Sequence, residues 1–270
     1  MTSSDLKDWT YHGVVLEQGP PGSWDDRAIW TGSVIEHEGA FYMLYTALCH
    51  DELFQQRIGL AISTDLVHWK KHTSNPVIEA DLKWYEDIAP NGKRFWRDPY
   101  LVYREEEGCF YAFITAREKE GALDQRGCIA LARSEDLMNW DVLPPVCAPR
   151  QFFHLEVPQM VFEQGRYYLI FCLAEGDHSK LRQKHPEKAT FTGEYYLTSG
   201  QFLNGYSLPP HDLLIGKTNQ VCYGGKLIKD PKGHWQLLYW LGEDAKGRFI
   251  GGLSDPAPVQ FLEDGSIWLV

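Results

Sequence analysis

The sequence predicts an all-β fold, a five-bladed β-propeller with four full blades and a partial first one. Two interleaved repeats and a composition rich in aromatic and turn-forming residues carry this expectation, and long helical patterns are hard to find. Aromatic residues make up 14% of the chain, which holds 24 Gly and 15 Pro. Such a chain reads as many short strands joined by tight turns.

The first repeat is S-x-D-L-x-x-W. It occurs at Ser3–Trp9, Ser63–Trp69 and Ser134–Trp140. An Asp in this position closes an Asx-turn on its own backbone, and the Trp is placed to pack between neighbouring units. The second repeat is a hairpin whose turn ends in glycine, at VIEHEGAFYMLYTA, LVYREEEGCFYAFITA, MVFEQGRYYLIFC and LIKDPKGHWQLLYWL. Glycine supplies the positive φ that such turns require. Hairpin, third strand (57–63, 127–134), Ser-Asp-Leu-Trp turn and fourth strand make one antiparallel unit. Stacked copies bury their faces against each other, which is the logic of a propeller.

Counting units sets the expected boundaries. One propeller domain spans 1–270, with a partial blade at 1–16 and blades at about 24–80, 95–147, 155–212 and 220–262. The partial blade lacks its first hairpin. The C-terminal stretch PVQFLEDGSIWLV, including a closing strand at 262–270, is expected to pair with the N-terminal strand. Half a blade leaves edges and apolar surface uncovered, so self-association is expected.

Composition excludes several functions. A net charge of −11 repels phosphate backbones and anionic membranes, so neither nucleic acid nor a membrane is expected as a partner. No apolar run has the length of a membrane span. MTSSDLKDW carries no signal-peptide pattern, and six widely spaced cysteines read as reduced, mostly buried thiols of a cytoplasmic protein. No spacing suits a zinc site or a phosphate loop, so neither metal nor cofactor is expected.

The first strand of each blade lines the axis, and acids near the start of three such strands are the candidate chemistry. In SWDDRAIWTGSVI these are Asp25 and Asp26, ahead of Trp30 and Ser33. In FWRDPYLVY, Arg97 and Asp98 follow Trp96, and the cation keeps the neighbouring carboxylate ionised. In FFHLEVPQMVF, Glu156 stands between apolar neighbours with His154 and Gln159 close by. Desolvation there would raise its pKa, as a general acid needs. Tyr223, at the start of the last unit, is grouped with the substrate contacts. Structural alternatives stand beside these. Asp98 could cap a turn, Glu156 could be an edge carboxylate, and Asp25 and Asp26 could be solvated. Trp24, Trp30 and Trp96 could be core or a platform for sugar rings.

These segments resemble glycoside hydrolase family 32, the fructan hydrolase and invertase family. STDLVHWKKHTSNPVI is similar to its DLVHW…NPVI stretch and IWTGSVI to its FSGSA motif. WRDP matches its RDP motif, and LEVPQ stands at its EC(P) motif. The resemblance covers essentially the whole chain and implies a five-bladed propeller acting on carbohydrate. It implies Glu156 as general acid/base, Asp98 as transition-state stabiliser, and Trp30 and Ser33 in the substrate pocket. It also implies a nucleophilic Asp in a WMNDPNG-type motif on the first hairpin. The sequence has no WMNDPNG, has Val157 where the family often has Cys, and has no C-terminal sandwich. The expected function is hydrolysis of a fructoside-type bond, retaining if the nucleophile is supplied. A family 43-like arabinosidase or xylosidase, or an inactive carbohydrate-binding propeller, are the alternatives.

Overall fold

A computed structural model describes residues 1–50, 54–216, 222–242 and 248–270. They form four antiparallel sheets of four strands each. The fold is all-β, of propeller type, with four blades. The chain divides into two compact units, Gly13–Arg150 and Met1–His12 with Gln151–Val270. Each unit holds two blades.

In the unit 13–150, the first blade is β1 (Ala28–His37), β2 (Ala40–Leu48), β3 (Gln56–Ser63) and β4 (Lys70–Lys71). The second is β5 (Trp96–Arg104), β6 (Cys109–Arg117), β7 (Gly127–Ser134) and β8 (Asp141–Cys147). All nine residues of β6, CFYAFITAR, are buried, as a central strand covered on both faces requires. Its core joins Leu44, Ile58 and Leu60 of the first blade to Trp96, Phe110 and Ile114 of the second.

In the other unit, one blade is β9 (Glu156–Glu163), β10 (Arg166–Leu173), β11 (Gly193–Ser199) and β12 (Leu213–Gly216). The last is β13 (Cys222–Lys229), β14 (Trp235–Leu241), β15 (Ala257–Phe261) and β16 (Ile267–Leu269). Its core packs Val161, Tyr168 and Tyr196 against Leu227, Leu237, Val259, Phe261 and Ile267. The expected start of this last blade, near 220, lies outside the described residues. The C-terminal expectation is corrected. β16 turns back on β15, pairing Val259 with Leu269 and Phe261 with Ile267, and completes the last sheet itself. A turn at Asp264–Gly265 folds this stretch into a local hairpin, so its strand partner is its own neighbour. The segment 1–12 closes on itself through a Thr2–Thr10 bridge.

Both repeats have the expected local geometry. The hairpin glycines Gly39, Gly108, Gly165 and Gly233 all have positive φ. In the S-x-D-L-x-x-W turns, the carboxylates of Asp5, Asp65 and Asp136 accept the amides two and three residues on. Leu6, Leu66 and Leu137 sit at φ +64°, +64° and +66°, a conformation bulky residues resist, so each turn depends on its Asp clamp.

The sequence gives no sign of one further feature. Each blade's first strand carries a bulge in which two residues oppose one: Trp30–Thr31 in β1, Asp98–Pro99 in β5, Val157–Pro158 in β9 and Gly224–Gly225 in β13. A bulge re-aims side chains locally. Here it recurs at the same place in all four blades and beside the candidate acids.

Candidate active site

Two carboxyl clusters stand on these bulges, one in each unit. Asp98 is buried, with φ +57°. Its amide donates to Thr46 Oγ1 at 2.8 Å. Its carboxylate accepts the hydroxyls of Thr31 and, at 3.1 Å, Thr115, and lies 3.3 Å from the Arg97 guanidinium. Arg97 is itself fixed. Its Nη1 donates to Gln56 Oε1, and the group lies 4.8 Å from the Phe95 ring centre. Asp98 is thus fixed by four partners, one on its amide and three on its carboxylate, before any ligand arrives.

Glu156 is partly exposed. The Tyr223 hydroxyl donates to its Oε2, and His154 Nε2 lies 3.6 Å from the same atom. His154 Nε2 also lies 3.0 Å from Asp177 Oδ2, so one imidazole nitrogen faces two carboxylates. Burial pushes the Asp177 carboxyl up, but the His154 hydrogen bond and charge and the Ala174 amide outweigh it and hold it below its ordinary value. The next residue, Val157, sits at φ +50°. For a β-branched side chain this is a true outlier, costing about 1–3 kcal/mol. Such strain persists where the surroundings over-determine it, and here it aims the Glu156 side chain.

The other expected residues divide. Trp30 is exposed, with its ring 5.9 Å from Phe54, over which the Arg27 guanidinium lies at 4.2 Å. That surface suits a sugar face. Tyr223 and His154 both reach Glu156, as a site requires. Five residues serve the scaffold instead. Trp96, expected as a possible platform, is fully buried and donates Nε1 to the Ile78 carbonyl. Ser33 Oγ accepts the Leu101 amide, joining β1 to β5. Gln159 is buried, and its amide exchanges two hydrogen bonds with the Leu227 backbone, joining β9 to β13. Asp25 is buried and bound to Lys71 and Ser23. Asp26 clasps a loop through the amides of Gly22 and His50, which hold its carboxyl below its ordinary value. Trp24, Asp25, Trp69 and Lys71 line an open cavity of about 450 Å³.

Sequence reading missed Asp177, Lys226 and Glu194. Lys226 Nζ donates to the carbonyls of Val157 and Pro158 at 3.0 and 3.1 Å, tying β13 to the β9 bulge. Glu194 is a fully buried acid at the start of β11. It is the one charged residue in GEYYLTS, and a lone acid opening an apolar strand is the signal that could have found it. Among the described residues no group of three His, Cys, Asp or Glu is placed to hold a metal ion.

Comparison with known proteins shows the family of the chain. A family model described as the glycosyl hydrolases family 32 N-terminal domain matches residues 1–248. The chain belongs to glycosyl hydrolase family 32. It is similar to the levansucrase LscA of Pseudomonas savastanoi pv. glycinea, 27% identical over 205 residues, covering 63% of this chain and 49% of that protein. It is also similar to the sucrose-6-phosphate hydrolase of Lactococcus lactis subsp. lactis, 23% identical over 250 residues, covering 90% and 49%. The chain thus spans about half the length of the curated relatives it matches. Among solved structures, the inulosucrase from Halalkalicoccus jeotgali bound to kestose superposes with a TM-score of 0.78 at 17% identity, covering 99% of this chain and 74% of that one. At that identity the likeness speaks for the fold.

Proposed function

We propose that this chain acts on the fructosyl bonds of sucrose-type saccharides, with Glu156 as general acid/base and Asp98 as transition-state stabiliser. The observation that carries the reading is the pair of matched bulges, Arg97-Asp98-Pro99 and Glu156-Val157-Pro158, in a chain of this family. Glu156, partly open to solvent and steadied by Tyr223, gives its proton to the glycosidic oxygen as the carbon–oxygen bond breaks. It then takes a proton from the incoming water, or from a sugar hydroxyl in transfer. Asp98, held by Thr31, Thr115 and Arg97, accepts hydrogen bonds from ring hydroxyls that strengthen as positive charge grows on the sugar. The exposed Trp30–Phe54 pair offers the stacking surface. The names of the relatives, levansucrase and sucrose-6-phosphate hydrolase, point to sucrose and its derivatives as first substrates to try. The segment 1–12 reads as the outer part of a fifth blade.

The family's nucleophile motif, WMNDPNG, is absent from these residues, so the test must separate turnover from binding. The purified chain is incubated with sucrose and a short fructan, and free fructose and glucose are measured beside Asp98→Asn. Release that falls by about 10²-fold or more in Asp98→Asn supports the reading. Calorimetric binding of sugar without release, weakened in Asp98→Asn, makes the chain a carbohydrate-binding propeller. Neither release nor binding overturns the proposal.

A further inference from the structure

Glu194 is a buried carboxyl that the chemistry above leaves unused. It pairs across the sheet with Cys172 of β10, and Cys172 pairs with Glu156 of β9. The two glutamates therefore share one rung of the blade, a single strand apart. The β13 bulge closes over Glu194 from the next blade of the same unit. The Gly225 amide donates to Glu194 Oε1 at 2.7 Å. A Cβ at Gly225 would stand 2.8 Å from Glu194 Cγ and Cδ, so only glycine admits this approach. The two residues that flank this bulge both reach β9. Tyr223 donates to the Glu156 carboxylate, and Lys226 to the Val157 and Pro158 carbonyls.

We propose that Glu194 is a positioning residue for Glu156: by holding the Gly225 amide, it fixes the bulge that delivers the Tyr223 hydroxyl to the Glu156 carboxylate. The inference rests on the reading of Glu156 as acid/base and deepens it. An apolar residue at 194 would fill the space without the cost of burying an acid. What it could not do is hold the amide of a glycine bulge in register.

The groups facing Glu194 are Glu156 from β9, Cys172 from β10, Ile215 from β12, and Gly225 and Lys226 from β13. Burial pushes its carboxyl up to about 7. The Gly225 amide and the Lys226 charge oppose this, and the Glu156 charge adds to it. Its folded value thus lies above its unfolded one. The stability it contributes is complete below the unfolded value and is lost as pH rises through about 7.

The test compares wild type, Glu194→Gln and Glu194→Ala, each with and without Glu156→Gln. Sucrose turnover and thermal melting are followed from about pH 5 to about pH 8. Glu194→Ala should lower kcat by roughly 10- to 100-fold with little change in KM. Glu194→Gln keeps a carbonyl oxygen for the Gly225 amide and should restore most of that rate. It should lack the inflection near pH 7 that the raised Glu194 carboxyl is expected to give the wild-type rate profile. A Glu194→Gln profile that superposes on wild type, or a Glu194→Ala loss confined to KM, overturns the inference. If wild type releases no sugar, the reading of Glu156 falls by itself and melting decides this one. Glu194→Gln must then gain melting temperature over wild type as pH rises, and the gain must shrink when Glu156 is already Gln. A gain indifferent to residue 156 overturns the pairing.

Discussion

Replacing Glu156 by Gln is expected to lower kcat for sucrose by about 10²- to 10⁴-fold while leaving KM nearly unchanged. The substitution preserves shape, and its amide oxygen still accepts the Tyr223 hydroxyl that now binds Glu156. What it removes is the exchangeable proton. The loss therefore falls on the step in which the leaving oxygen must be protonated, and ground-state binding is spared. A substrate whose leaving group departs without protonation, such as a fructosyl fluoride, should lose far less in bond cleavage. The water-activating half-reaction, which needs Glu156 as a base, should still slow. Steady-state kinetics on sucrose and on the fluoride check this. Equal rates in the variant and wild type on sucrose would remove Glu156 from the chemistry.

The repeats were legible because they are local. Gly39, Gly108, Gly165 and Gly233 mark hairpins through their own backbones. The turn Asp residues clamp amides two and three positions away, within reach of a sequence pattern. Asp98 and Glu156 were legible because a carboxyl beside Arg-Pro or Val-Pro is a short, unusual string. What stayed hidden depends on distant pairing. The bulges are defined by strand register, and the role of Gln159 depends on Leu227, far along the chain. Trp96 looked like a platform because nothing in FWRDPY says that Tyr85 will pack 5.0 Å from it. Glu194 was passed over because its partner, Gly225, belongs to another blade. The C-terminal hairpin was missed for a simpler reason. Asp264 and Gly265 are a turn signal inside LEDGSI, and the expected closing strand at 262–270 runs straight through it.

The polar stretch SKLRQKHPEKATF reads as a loop, yet it carries Arg182 of a deeply buried ion pair. Ser179 caps a single helical turn, α1 (Lys180–Gln183), by accepting the Arg182 amide. That turn sends Arg182 inward. Its Nη1 and Nη2 donate to the two carboxylate oxygens of Asp212, both at 2.8 Å, and the side chains are 0% and 2% exposed. Nε and Nη2 also serve the Ala189 carbonyl, and the guanidinium lies over the Phe152 and Tyr195 rings. Asp212→Leu would leave a guanidinium in the core with no countercharge, only the neutral oxygens of Ala189 and Gln151. It is expected to cost about 3–5 kcal/mol, a large share of the roughly 5–15 kcal/mol that holds a domain folded. The double variant Asp212→Leu with Arg182→Met removes both charges together and should recover much of that loss. Urea unfolding of the four proteins checks the cycle, and a single-variant cost below about 1 kcal/mol would show that the pair is solvated after all. The effect reaches the site as well. Ser179 donates its amide to Gln151, and Phe153 donates its own to Asp177. The loop that Arg182 anchors is therefore the loop that carries Asp177 to His154, and His154 to Glu156. Sucrose turnover in Asp212→Leu should accordingly fall at temperatures well below its melting point, where the fold is intact but the loop is loosened.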